Sequence, residues 1–477
     1  MLPLALAAIA FLLPACLRKA RAPEVIVLQT GRLLGNVYPE SIREGVGLQH
    51  YAFISGYVKQ VREEAKKSGA KVVLVDLGDS LGGSFASYAT QSENVAAFFN
   101  LLNYDVVALG NLDADVPPST LGKLKAKVLC PFTDAAGKPA MPGSAIGTAF
   151  TLDGFQLRLI SNFHGDMDPA LDPLRFPAWF GPVREGVYPV RDYAPTLHDL
   201  GEKKPGDITL FSWMKFEAPE DPPTAYLQKL SALGVDVILA HRIYGRSEKD
   251  VWRKSPAADW TPPVSENILR RNQGFTVARI DLRRESGVWK VLAHEVVPMT
   301  ANTAPADKEA LAVIAPFATQ IREKDEVVGK LALAWSQPDI FNLYLTALTK
   351  VEDADVVVYS EESIRAPWQA GNLHASTVFN SLPWVSGLYR VELTGEQLDK
   401  LRKLPRLRIW KKTGEETVYH VVTSEFFAAV IRRELGLPGE KVIPAIPGSE
   451  FDFFLHFIKT LPALEPLQPT ADWVHEI

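Results

Sequence analysis

The sequence predicts an α/β protein, a layered βαβ sandwich joined to a second, α+β C-terminal domain, and three observations carry that expectation. From Val25 to about Met299, short apolar runs rich in β-branched residues alternate with helical patterns. A charged helical stretch follows, and beyond it strands and helices come in a different order. At 477 residues and 52.6 kDa, the chain is also too long for one compact core.

Taken in order, the first element is a leader. The leader occupies residues 1–22: the stretch "MLPLALAAIAFLLPACLRKARAPE", Met1 to Glu24, opens with an apolar run of signal-peptide length, shorter than the roughly 18 to 20 residues of a membrane span. Within it "LPAC", Leu13 to Cys16, resembles a bacterial lipoprotein box, with Pro14 and the missing basic n-region as departures. The expectation is an exported chain, a periplasmic or cell-surface lipoprotein lipidated at Cys16 and touching the membrane only through that anchor. A soluble secreted protein cut near "ARAP" is the alternative, although Pro23 would hinder that cleavage. If Cys16 is lipidated, Cys130 stands alone and there is no disulfide framework. In the strand-like "AKVLCPF", Cys130 reads as a buried structural thiol.

The sandwich occupies residues 23–300. "EVIVLQT" reads as a strand, His50 to Ser68 as a long amphipathic helix, and "KVVLVDLGDS" as the next strand. The order repeats in "SENVAAFFNLLN" and "YDVVALGN", then in "TAYLQKLSALG" and "VDVILAH". Ligands bind at the C-terminal ends of strands in such sheets, so "TGRLLGN", "GDSLGGS", "GNLDAD" and "AHRIYGR" should gather on one rim. Residues 301–328 read as a helical linker, from the apolar spacing in "ADKEALAVIAPFATQIREKDEVV". Residues 329–477 form the second domain, through the helix-like "PDIFNLYLTALTKVED", the strand-like "ADVVVYS" and the later "TVYHVVTSEFFAAVIRREL".

Composition narrows the function classes. With 47% hydrophobic and 22% charged residues, a formal net charge of −5 and a pI near 6.1, the chain lacks the basic surplus of a nucleic-acid binder. No nucleic-acid partner is expected. Neither repeats nor low-complexity blocks interrupt the chain, and no particular protein partner can be read from it.

The loops, in this order, resemble the 5'-nucleotidase / 2',3'-cyclic phosphodiesterase family, whose members join a calcineurin-like metallophosphoesterase domain to a 5'-nucleotidase C-terminal domain. "DLGDSLGGS", "YDVVALGN" and "AGNLHASTVFNSLPWVSGLYRVELTGEQLDKL" carry the resemblance, which spans nearly the whole mature chain. The family includes phosphodiesterases, sugar-nucleotide hydrolases and a thiosulfohydrolase, so membership names no substrate. It implies two divalent metals bridged by one aspartate, with a bound water or hydroxide attacking phosphorus.

Against that pattern the ligands are unevenly kept. The first motif, Asp-x-His-Gly-Asn in the family, is here Arg32, Leu33, Leu34, Gly35 and Asn36, and a guanidinium cannot coordinate a cation. Asp79 matches the bridging aspartate and Asn111 the asparagine ligand. The histidine that stabilises the transition state is replaced by Leu112, which neither donates a proton nor stabilises an oxyanion. Trp213 stands where the next ligand histidine belongs, and in "ILAHRIYG" His241 matches one histidine while Ile243 replaces the other. The resemblance thus leaves one site with Asp79 only, and the other with Asp79, Asn111 and His241.

Each survivor also has a plain structural reading: Asp79 as an acceptor in a glycine turn, Asn111 as a turn residue, His241 as a hydrogen-bonded strand-end histidine. In the C-terminal domain the resemblance implies substrate contacts at Arg365, Trp384 and Phe426, with acidic Glu361 and Glu362 nearby. Phe426 and Phe427 equally fit the core face of an amphipathic helix, since "TSEFFAAVIRREL" runs on as helix where the family has a glycine-rich loop.

Two functions follow as expectations. One is an exported, non-hydrolytic binding or accessory protein with most of its dimetal site lost, its ligand a nucleotide or other small phosphate compound. The other is a hydrolase with a reduced site holding one divalent ion, Mn, Zn, Co or Ca.

Overall fold

The computed structural model describes residues 22–38, 50–113, 116–134, 136–162, 188–190, 193–215, 230–242, 264–265, 276–360, 363–403, 407–414, 416–438, 441–465 and 473–476. Cys16, Glu361, Glu362 and the "AHRIYGR" loop beyond Arg242 lie outside these residues, as do the side chains of Asn111, Trp213 and His241.

The first half runs β1 (Val25–Thr30), α1 (His50–Ser68), β2 (Lys71–Asp76), α2 (Phe85–Thr90), α3 (Glu93–Leu102), β3 (Val106–Ala108), α4 (Pro118–Leu121), β4 (Lys127–Leu129) and β5 (Phe132–Thr133). It continues through β6 (Gly147–Leu152), β7 (Phe155–Ile160), β8 (Tyr188–Pro189), α5 (Ala194–Asp199), β9 (Ile208–Lys215), β10 (Val237–Arg242), β11 (Val264–Ser265), β12 (Thr276–Glu285) and β13 (Val288–Pro298). Two sheets result, in the orders β13-β12-β1-β2-β3-β4 and β11-β10-β9-β7-β6.

β1 is buried along its whole length and pairs with β2 in parallel and β12 in antiparallel. A strand covered on both faces reads as an unbroken apolar run, and "VIVL", Val25 to Leu28, does so, with buried Gln29 and Thr30 closing the strand at the rim. Alternation divides its side chains between two cores. Val25 and Val27 meet Leu157, Leu159, Ile208 and Leu210 between the sheets. Ile26 and Leu28 face α1, whose Tyr51, Ile54, Val58, Val61 and Ala65 repeat at helical spacing. Cys130 lies in this second core, buried, with burial pushing its thiol up.

The βαβ reading missed one piece. β12 and β13 form an antiparallel hairpin at the sheet edge, turned at Ser286 and Gly287, both with positive φ. That is the geometry of a tight hairpin turn, and "RESGVW" carries its signal.

The second half contains α6 (Lys308–Ile314), α7 (Phe317–Lys324), β14 (Val327–Leu331), α8 (Gln337–Leu348), β15 (Val356–Tyr359), β16 (Gly371–His374), α9 (Ala375–Ser381), β17 (Leu388–Thr394), α10 (Gly395–Leu401), β18 (Arg408–Lys412), β19 (Val418–Ser424), α11 (Glu425–Leu435), β20 (Val442–Pro444), α12 (Glu450–Thr460) and β21 (Trp473–Glu476). Its main sheet has the order β20-β17-β19-β15-β18-β21. α6 docks on α1: Asp307 caps it, accepts from Ser55 Oγ at 2.5 Å and pairs with Lys59 at 2.7 Å.

One buried cluster crosses from the first half to the second. Tyr38, Phe85, Ala86 and Ala89 share it with Phe379, Phe451 and Phe454. Tyr88 of α2 packs edge-on to Phe451 at 5.0 Å between centroids and lies 5.6 Å from Phe379, and its hydroxyl bonds Asp452. The halves therefore meet through a packed aromatic seam.

Candidate functional site

Three of the four expected rim loops come together. From the first loop, the N–H of Arg32 donates to Gly78 O at 2.8 Å, that of Leu34 to Asp79 O at 3.0 Å and that of Gly35 to Ser80 O at 2.9 Å. The first and second loops thus run as a backbone ladder. Asn36 closes the first loop on itself, its Nδ2 donating to Leu33 O at 3.0 Å.

Two carboxylates that are not family ligands hold this arrangement. Asp113, fully buried, accepts from the N–H of Asp79 (2.7 Å), Gly110 (2.8 Å), Leu81 (2.8 Å) and Gly82 (3.3 Å). It staples the third loop to the second. Asp76, at the end of β2, accepts from Thr30 Oγ1 at 2.7 Å, Ser80 Oγ at 2.8 Å and the N–H of Gly78 at 2.9 Å, and so ties the first loop to the second. Burial pushes Asp76 up to about 7. Burial and the neighbouring Asp79 charge push Asp113 up to about 8, opposed by its N–H donors. Sequence reading gave neither residue this role. The available signal was a strand-end acid two residues before Gly78 and another three residues after Gly110.

Asp79 is fully buried, and its Oδ1 accepts from the N–H of Leu112 at 3.0 Å. A Cβ on Gly110 would come within 2.3 Å of that oxygen, so only glycine lets the third loop approach the aspartate this closely. Arg32, Leu34 and Asp79 all have φ between 51° and 54°, a left-handed conformation costing a side-chain-bearing residue about 1 to 2 kcal/mol. Strained backbone thus collects at the rim of the strands.

Leu34 and Leu112, which stand where the resemblance implies histidines, both border Gly83: a Cβ placed on that glycine would lie 3.2 Å from Leu112 Cδ1 and 3.5 Å from Leu34 Cα and Cβ. Arg32 beside them is buried.

A pair of divalent ions does not fit this donor set, since the first loop brings a permanent positive charge and an isobutyl group. Among the described residues, no group of three or more His, Cys, Asp or Glu side chains could hold a metal ion. Of the residual set, Asp79 is placed, Asn111 lies in the 3-10 turn Asn111–Asp113, and His241 lies on β10. There His241 pairs with Met214 and Ala240 with Trp213, so the two later motifs sit on neighbouring parallel strands.

In the second half, Arg365 is exposed and its guanidinium lies 5.1 Å from the centroid of the Trp384 ring, a cation–π contact. Its N–H donates to Ser381 O at 2.8 Å. Phe426, 40% exposed, stands edge-on to the buried Phe427 at 5.0 Å, and the neighbouring Glu425 N–H donates to Gly387 O at 3.1 Å. Arg365 and Trp384 are thus brought together, and Phe426 adjoins a residue bonded to the same 383–387 turn.

No protein-family model matches the sequence, and comparison with curated proteins finds no match. Solved structures do match. The 5'-nucleotidase precursor of Thermus thermophilus aligns at 15% identity over 92% of this chain and 97% of its own, with a TM-score of 0.61. The 5'-nucleotidase of Candida albicans aligns at 14% identity over 92% and 98%, TM-score 0.59. The sulfate thiohydrolase SoxB of Thermus thermophilus aligns at 12% identity over 94% and 97%, TM-score 0.58. Sheet order, loop placement and these alignments agree, and the chain has the fold of the 5'-nucleotidases.

Proposed function

We propose that the chain is a non-hydrolytic relative of the 5'-nucleotidases, an exported, lipid-anchored binding or accessory protein that keeps the scaffold and has given up the dimetal chemistry. The placement of Leu34 and Leu112, both bordering Gly83 at the rim, carries this reading. Apolar side chains stand at the two positions where the resemblance implies imidazole. Removing such groups together costs orders of magnitude in rate. Export and the anchor at Cys16 rest on the leader sequence alone.

The ligand in this reading is a nucleotide or another small phosphate compound, held at Arg365 and Trp384. The aromatic seam supports an accessory role as well, since its packed rings favour a fixed arrangement of the two halves.

The test is an assay of the purified mature chain with Mn²⁺, Zn²⁺, Co²⁺ or Ca²⁺ on nucleoside monophosphates, cyclic nucleotides and sugar nucleotides. The expected result is no turnover above background, and turnover at an ordinary enzyme rate, about 1 to 10³ per second, overturns the reading. Metal analysis addresses the one-metal alternative: a stoichiometric ion lost in Asp79→Ala supports a hydrolase built on Asp79, Asn111 and His241.

A further inference from the structure

The first turn of α12 performs three jobs in three consecutive residues. Glu450 is fully buried and accepts from the Tyr359 hydroxyl. Phe451 packs on Tyr88 and on Phe379, 5.1 Å between centroids. Asp452 accepts from the Tyr88 hydroxyl and donates its N–H to Ser449 Oγ at 3.0 Å. The same turn is pinned from behind, with the Glu450 N–H on Ser386 O at 2.7 Å and that of Phe451 on Trp384 O at 3.1 Å. A buried acid is therefore attached, through one helical turn, to the seam between the two halves.

The surroundings of Glu450 suit a neutral carboxyl group. Tyr344 on α8 and Tyr359 on β15 stand against it, their rings 5.0 Å apart between centroids, with Phe454 and Phe427 packed behind them. Among the described residues, its Oε2 has no hydrogen-bond partner. The other ionisable group acting on it is Glu425 at the start of α11, a like charge, and Asp452 follows on its own helix. Among the described residues, no cation from α8, β15 or α11 adds to these. An ionised Glu450 would bury a carboxylate with one oxygen unsolvated, a cost larger than the favourable pull of the helix N-terminus. Opening the first turn of α12 relieves that cost by admitting water, and the same opening takes Phe451 and Asp452 away from Tyr88.

We propose that Glu450 is a proton latch on the domain seam: neutral, it seats the first turn of α12 against Tyr88, and its ionisation releases that turn. The inference concerns the seam and stands whether or not the chain hydrolyses anything. Burial, with Glu425 adding to it, holds the Glu450 carboxyl up at about 8, while the Tyr359 hydroxyl that bonds it pulls it down. The sign follows. A carboxyl raised in the closed form favours that form fully below the ordinary carboxylate range and loses its contribution as pH rises through about 8. Opening of the seam should increase with pH by up to about tenfold per unit and level off above about 8, the behaviour of one released proton.

Hydrogen exchange of the full chain, followed by mass spectrometry between about pH 5 and 9 with intrinsic exchange rates divided out, tests this. Peptides covering α2 and the first turn of α12 should show the rise, while α1 should not. Glu450→Gln should abolish the pH dependence. Tyr359→Phe removes the hydroxyl that favours the ionised form and should move the levelling point to higher pH, which keeps the test available if Glu450→Gln fails to fold. A wild-type seam with flat exchange overturns the latch, as does a rise that persists in Glu450→Gln or a levelling point unmoved in Tyr359→Phe.

Discussion

Asp113 at the rim and Glu450 behind the seam are both fully buried acids pushed up to about 8, yet they are held in opposite ways. Asp113 receives four backbone N–H groups, from Asp79, Leu81, Gly82 and Gly110. A proton on it would have to face a donor. Glu450 receives one tyrosine hydroxyl and otherwise meets aromatic rings, so its proton is easily accommodated. Similar burial therefore serves different ends: the rim acid fixes loop backbone, whereas the seam acid leaves a contact conditional. The shape of the rim does not depend on a bound ion, because Asp113 and Asp76 hold its loops through hydrogen bonds.

The sharpest way to break this comparison is to neutralise each acid without changing its size. Asp113→Asn places an amide N–H₂ against backbone donors and should cost about 4 kcal/mol, while Glu450→Gln should cost about 1 kcal/mol. Urea denaturation of the full chain at neutral pH measures both. Equal losses would mean that hydrogen-bond count does not distinguish the two sites. Next in size, Tyr88→Ala removes a ring packed on Phe379 and Phe451 and should destabilise by about 3 kcal/mol, read in the same titration. A loss under about 1 kcal/mol would show that the seam contributes little to holding the halves together.

Most of the fold was legible because local pattern and tertiary burial agree. The helical spacing of His50–Ser68 is the spacing that faces the core, and "VIVL" is apolar on both sides because both sides are covered. The β12–β13 hairpin was missed although Ser286–Gly287 signals its turn, because its long alternating strands sit among parallel units. At the site, sequence position alone puts Arg32, Leu34 and Leu112 on rim loops at the strand ends, where the structure places them. The braces could not be read this way. Asp76 and Asp113 each combine local donors, Gly78 and Gly110, with ones 30 or more residues away, Thr30 for Asp76 and Asp79 for Asp113, and the distant ones tie the loops together. The seam was hidden for a related reason: Tyr88 and Asp452 lie 364 residues apart, and no periodicity links them.

The smallest expected effect isolates the rim backbone from its side chains. Leu34 holds φ at 51°, where its Cβ crowds the following carbonyl, and it is only partly buried. Leu34→Gly removes that strain but also removes the apolar side chain that borders Gly83 and frees the unfolded chain. These terms oppose one another. Relief of about 1 to 2 kcal/mol against comparable losses should leave stability within about 1 kcal/mol of wild type. A marked stabilisation would mean that the left-handed turn is stored strain, held for the shape of the first loop. A loss above about 2 kcal/mol would mean instead that the Leu34 side chain is structural packing at the rim in its own right.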